Sequence, residues 1–182
     1  MSDFQQIAMK LAAEQHGPDW LSALRQQGEQ AWTSAKWPGR KTEAWKYTPL
    51  TALQQDAPSQ WATAELSNWQ QDVEAIELDA TRLVFINGRF SAADSSPLPA
   101  GVVQFADADA QQQILIEQHL GKVVDSQRHL FAALSNAWLA GGVLVHVPRN
   151  QKLEKPVYVL NIATPEATPS VAQQRLLVVL ED

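Results

Sequence analysis

The feature that most narrows the possible folds is a change of hydrophobic period part-way along the chain. Residues 3 to 16 place Phe4, Ile7, Ala8, Leu11 and Ala12 on one helical face, with Ser2 or Asp3 able to cap the start and Gly17-Pro18 to end it. A second helix is predicted from about Asp19 to Ala35, with Trp20, Leu21, Leu24, Ala31 and Trp32 as its apolar residues; Gly28 weakens its middle. The two form a helical hairpin that Pro38-Gly39 stops. From Arg82 the pattern becomes that of strands. Leu83-Val84-Phe85-Ile86 leads into Asn87-Gly88 and Arg89-Phe90, a tight hairpin whose turn residues both tolerate positive φ. Helices first and strands later read as an α+β chain.

Between and beyond these landmarks the signals are less regular. A helix around Ala62 to Asp72 would bring Trp61 and Trp69 to nearly the same side. Pro97 and Pro99 mark a loop, and Val102 to Phe105 is a predicted strand. Asp107-Ala108-Asp109 then precedes a short helix through Ile114, Leu115 and Leu120. These aspartates read as helix caps, because the glycine and terminal glutamate of a calcium loop are missing. A further helix is predicted from His129 to Leu139, with Leu130, Leu134, Ala137 and Trp138 on one side and Gly141-Gly142 closing it. Three strands follow: Val143 to Val147, Val157 to Ile162 and Leu176 to Leu180. Their starts lie 14 and then 19 residues apart, a spacing that allows a β-helix entrance without establishing a repeat. A strand in the last position would expose an unpaired edge. The expectation is that the chain is a fragment of a longer product and self-associates through that edge.

The densest stretch runs from Arg40 to Leu50, with Trp45 and Tyr47 among three cations and Glu43. In an extended segment Trp45 and Tyr47 would share a face, with Lys46 opposite, and Thr48-Pro49 is a helix-start signal. The two rings read as packing residues, the commoner use of such side chains, or as a docking surface for an acidic partner. From Lys36 to Lys46 four cations meet one carboxylate.

This stretch also carries a family likeness. Arg40, Glu43, Trp45-Lys46-Tyr47-Thr48 and Leu50 resemble the opening signature of the SufB/SufD family of the Suf iron–sulfur cluster assembly system. The likeness continues through Leu83-Val84-Phe85-Ile86-Asn87-Gly88-Arg89-Phe90, Phe131-Ala132-Ala133-Leu134-Ser135-Asn136-Ala137, Gly142-Val143-Leu144-Val145-His146-Val147-Pro148 and Lys155-Pro156-Val157. It covers most of residues 38 to 160 in the expected order. The resemblance implies an N-terminal domain over 1–140, helical over 1–80 and mixed α/β over 81–140, followed over 141–182 by the start of a truncated β-helix, or solenoid-like, core. It further implies a non-catalytic cytoplasmic scaffold subunit that works with a SufB-like subunit and a SufC-like ATPase. An iron–sulfur cluster, with a flavin left open, is implied for the full complex and none for this stretch. Residues credited with cluster handling in the family lie in the later β-helix, and the ATPase contacts in a C-terminal helical part, so no functional residue carries over. Freedom from cysteine leans toward the SufD side of the family.

Composition is consistent with these expectations. The 182 residues, 45% of them hydrophobic, are enough to build a core without staples. A net charge of -6 argues against nucleic-acid binding by general attraction. With no cysteine there is no disulfide, thiolate ligand or cysteine nucleophile. The N-terminus lacks signal-peptide character and no apolar run reaches membrane-spanning length. His16, His119, His129 and His146 show no metal-binding spacing, and His146 reads as a satisfied or solvent-facing strand residue. No nucleophile elbow or phosphate loop occurs. Residue by residue the chain reads as a non-enzyme, with no catalytic, cofactor or metal residue assigned. Its seven tryptophans and solenoid-like strands keep a carbohydrate-binding or carbohydrate-processing β-helix protein as the alternative.

Overall fold

The computed structural model describes residues 3–63, 76–164 and 168–181. In chain order the helices are α1 (Asp3–Ala13), α2 (Ser22–Ser34), α3 (Thr51–Gln55), α4 (Ala110–His119) and α5 (Leu130–Ala137). The strands are β1 (Gln60–Trp61), β2 (Thr81–Ile86), β3 (Arg89–Phe90), β4 (Val102–Gln104), β5 (Val143–Val147), β6 (Val157–Ile162), β7 (Ser170–Val171) and β8 (Leu176–Leu180). The fold is thus mixed α+β. Trp69 and most of the helix expected over 62–72 lie outside the described residues. The chain divides into two units that interleave in sequence: Met1–Trp61, Gly121–Ala140 and Glu166–Val171 form one, and Ala62–Leu120, Gly141–Pro165 and Ala172–Asp182 the other.

The first unit is built around the apolar face of α1. Phe4, Ala8, Leu11 and Ala12 are buried as the helical spacing requires, and they share a core with Trp32, Ala133, Leu134 and Trp138. Gln5 is buried too, and its position has a reason. Its Nε2 donates to the carbonyls of Trp32 (3.1 Å) and Ala35 (3.0 Å) at the C-terminal end of α2, where helical carbonyls run out of partners. Three indoles grip α1 in return. Trp32, Trp138 and Trp61 donate their Nε1–H groups to the carbonyls of Gln5, Ala8 and Leu11, at 3.2, 2.8 and 3.1 Å. These acceptors are three residues apart, so they form a row along one side of the helix.

The expected hairpin of the first two helices needs correcting in its emphasis, because the main partner of α2 is α5. Gly28 is what permits this. A Cβ there would collide with the backbone of Ala133 and Ala137 and with Asn136, so the residue that weakens the helix locally is the one that lets two helices approach closely. Gly141-Gly142 does not close α5 either. That helix ends at Ala137 with Trp138 as its cap, and neither glycine has positive φ. A side chain at Gly142 would instead run into the Phe105 ring, which is fully buried.

The second unit contains two three-stranded sheets, ordered β3-β2-β6 and β4-β5-β8. In the first, β2 pairs parallel with β6 from Thr81↔Val157 to Ile86↔Ile162 and antiparallel with β3. Asn87 and Gly88 take φ of 49° and 79°, the turn their sequence demands. Because β3 is only two residues long, the rest of that flank of β2 must find partners elsewhere. Ser95 and Ser96 provide them: their hydroxyls accept from the Val84 and Arg82 amides at 2.9 and 3.0 Å, and the Ser96 amide donates to the Arg82 carbonyl. The loop thereby imitates a continuing strand. Alternation sends Leu83 and Phe85 into one cluster with Val102, Val143 and Val145 of the other sheet, and Val84 into a second with Ile162.

All three late strands form where expected, but they do not stack as consecutive rungs. β6 pairs with β2, whereas β5 pairs parallel with β8 from Val143↔Leu176 to Val147↔Leu180 and antiparallel with β4. The sheets are small and no closed barrel forms among the described residues, so a β-helix is not established here. Asp109 opens α4 with a reciprocal capping box, accepting from the Gln112 amide at 2.9 Å while Gln112 Oε1 accepts from the Asp109 amide. Ile114 of this helix is exposed and Ile116 is its buried residue.

Candidate functional site

The Arg40–Leu50 stretch is not extended. Successive turns carry it: the Thr42 amide donates to the Gly39 carbonyl, Trp45 to Thr42, Lys46 to Glu43, and Thr48 to Trp45. A short turn of 3-10 helix covers Glu43–Trp45. Trp45 and Tyr47 therefore part company. Trp45 is half-buried with its ring 5.4 Å from that of Phe131, while Tyr47 is 86% exposed with Lys46 Nζ 5.2 Å from its ring centre. Trp45 anchors this stretch as the packing reading required, and Tyr47 does not. The helix start is also displaced: α3 begins at Thr51 with Leu50 as its N-cap and no side-chain cap bond, so Thr48 and Pro49 precede the cap.

Around this stretch lie two grooves of about 690 and 590 Å³ that share Trp37, Arg40 and Trp45 as walls. Trp37 is itself fixed edge-on against Phe4 and Trp32. The aromatic walls are thus rigid extensions of the α1 core, and the cations stand on their rims.

The second unit holds a cavity of about 470 Å³ lined by residues of the 99–101, 146–148 and 151–155 segments and by Thr81. Gly101, at φ 85°, is needed where its carbonyl accepts from the His146 amide at 2.7 Å; any side chain would strike the His146 carbonyl. On its wall, His146 Nε2 donates to Glu181 Oε1 at 2.8 Å, and the Arg149 amide donates to Glu181 Oε2 at 3.2 Å. These two donors, His146 first, hold the Glu181 carboxyl below its usual value. Nearby, Lys155 is paired with Asp79, which raises its pKa, although both groups face solvent. A carboxylate-oriented histidine is half of a general-base arrangement. Among the described residues no hydroxyl is hydrogen-bonded to this ring, and Glu181 satisfies the histidine, one of the two uses the sequence expectation allowed.

The remaining sequence candidates disperse. Asp109 is a helix cap, Asp107 Oδ2 accepts from Gln104 Nε2 at 3.1 Å, and His129 is the N-cap residue of α5. Among the described residues no group of three or more histidines, cysteines or carboxylates is placed to hold a metal ion. Likewise no helix is long and apolar enough to cross a membrane. Trp61, one of the tryptophans behind the carbohydrate alternative, donates to Leu11 and stands edge-on to Trp138 at 5.2 Å, so its ring is spent on the core. Sequence reasoning missed Gln5 and the side-chain clasp of Asn87, whose Nδ2 donates to Thr164 Oγ1 while its Oδ1 accepts from the Thr164 amide. Nothing local marks either residue as buried.

Comparison with known proteins agrees with the ordered motifs. The family model for the SufBD protein N-terminal region matches residues 4–159. A Synechocystis protein named as an iron–sulfur cluster assembly SufBD family protein is 30% identical over 159 residues, covering 82% of this chain and 34% of that protein. The iron–sulfur cluster assembly protein SufD of Escherichia coli is 32% identical over 127 residues, covering 69% of this chain and 27% of that protein. The chain therefore spans about a third of the length of these curated relatives. With its motifs in order from Arg40 to Val157 and the family match running through both structural units, this chain belongs to the SufBD family, whose N-terminal region it represents.

Proposed function

We propose that this chain is the N-terminal portion of a scaffold subunit in iron–sulfur cluster assembly, acting in the cytoplasm beside a SufB-like subunit and a SufC-like ATPase. The observation that carries the reading is the family match over residues 4–159, with two relatives whose names both state iron–sulfur cluster assembly. In this reading the cluster is cargo of the complex, and the work of this portion is architectural. Polar side chains in structural roles support this reading: Asp109 caps a helix, Asn87 fixes a turn, and Ser95 and Ser96 complete a strand. The strand order supports the proposal that a β-helix core begins near residue 141. β5 and β8 are parallel neighbours, and β6, between them in sequence, lies in the other sheet, as when a coil returns to its first face one turn later.

The test is co-purification of the full-length protein with candidate SufB-like and SufC-like subunits, followed by anaerobic iron and sulfide analysis. A stable complex that acquires a cluster only when all subunits are present supports the scaffold role. A protein that purifies alone under gentle conditions, or assembles without ever acquiring iron, overturns it.

A further inference from the structure

The grooves around Trp37 and Trp45 have no part in the scaffold reading, and their charge is unusual for this protein. Lys36, Lys41 and Arg128 stand along one groove, Lys46 along the other, and Arg40 on the wall between them. All five are exposed, and among the described residues none is held in an ion pair. The carboxylates closest in sequence are Glu43 and Asp125, and Asp125 Oδ1 is already occupied by the Gln127 amide. A chain with a net charge of -6 thus presents a local excess of positive charge around rigid apolar walls.

We propose that these paired grooves dock a short acidic segment of a partner protein, its carboxylates on the five cations and its apolar side chains against Trp37, Trp45 and Pro49. The charge distribution selects this occupant over nucleic acid. A long polyanion would extend beyond the patch and meet the field of an acidic protein, whereas a short segment sees little beyond one screening length, about 8–10 Å. The rings are also poorly disposed for base stacking. Trp37 and Trp45 are engaged with Phe4, Trp32 and Phe131, and one side of the Tyr47 ring carries Lys46. The aromatic walls and the backbone that carries the cations need no rearrangement to receive a ligand, because local turns and core contacts already hold the segment.

Fluorescence anisotropy with a fluorescein-labelled oligoglutamate peptide tests the proposal, with an oligolysine peptide and a single-stranded oligothymidine of equal length as competitors of known chemistry. Saturable oligoglutamate binding is expected, weakening by about tenfold or more as salt is raised through the physiological range. The R40E/K41E/R128E variant should lose it, whereas K152E/K155E, in the other structural unit, should retain it. Because all the substituted residues are exposed, circular dichroism should show both variants folded; perturbation of the Trp37 and Trp45 indole signals by the peptide gives a second readout without substitution. Absence of saturable binding, binding indifferent to the triple reversal, unmoved indole signals, or tighter binding of oligothymidine would each overturn the proposal. None of these outcomes bears on cluster assembly, so this inference and the scaffold role fail separately.

Discussion

Gly28 shows how one residue can carry opposite meanings at two levels. Within an isolated helix, alanine in its place would gain about 0.5–1 kcal/mol. Here the added methyl meets the backbone of α5, and overpacking of that kind costs about 1–3 kcal/mol. We therefore expect Gly28→Ala to destabilise the fold by roughly 1–2 kcal/mol in urea unfolding; a stabilised variant would show that α2 and α5 are not so closely packed. Glu181 yields a pH prediction. Its folded carboxyl lies below the ordinary carboxylate value, so the stabilisation it supplies is full above the unfolded value and is lost as pH falls through the folded one. The Arg149 amide, a donor to this carboxylate, should report that acid transition by NMR at a pH below the ordinary carboxylate range, and Glu181→Gln should abolish it. A transition at the ordinary value would refute the interaction.

At the scale of elements, secondary structure was legible wherever a local pattern had a local cause. The Asn87-Gly88 turn, the Asp109 cap and the spans of β5, β6 and β8 follow from turn chemistry, capping and β-branched runs that any reading of the residues can weigh. In the Arg40–Leu50 stretch the shared face of Trp45 and Tyr47 would need an extended backbone, whereas the segment is turned and Trp45 packs against Phe131 of a helix distant in sequence. Strand pairing was equally hidden: neither the β2–β6 register nor the serine loop that completes β2 has a local signature. Val84 is fully buried, so its amide depends on Ser95. Replacing Ser95 and Ser96 by alanine should cost on the order of 2 kcal/mol and speed hydrogen exchange at Arg82 and Val84. Unchanged exchange there would mean that other acceptors hold this flank.

For the whole molecule, the outstanding feature is the β8 edge. β8 is hydrogen-bonded on one side only among the described strands, and Val178 and Leu180 are 51% and 68% exposed. Leu176, on the same face, packs against the cluster between the sheets, so that apolar layer runs out toward solvent along β8. Such an edge invites another strand. This 182-residue chain is expected to self-associate at high concentration in light scattering, with Val178→Lys reducing the effect; a monodisperse wild-type monomer would count against it. By itself the sequence determined the α+β class, most element positions, the family and the absence of cysteine chemistry, because composition, periodicity and motif order are properties of neighbouring residues. Only the tertiary structure decided that the tryptophans Trp32, Trp61 and Trp138 serve α1, that α2 pairs chiefly with α5, and that the cations of the central stretch rim two rigid grooves. Those outcomes depend on which distant surfaces meet when apolar area is buried and every buried donor must find an acceptor.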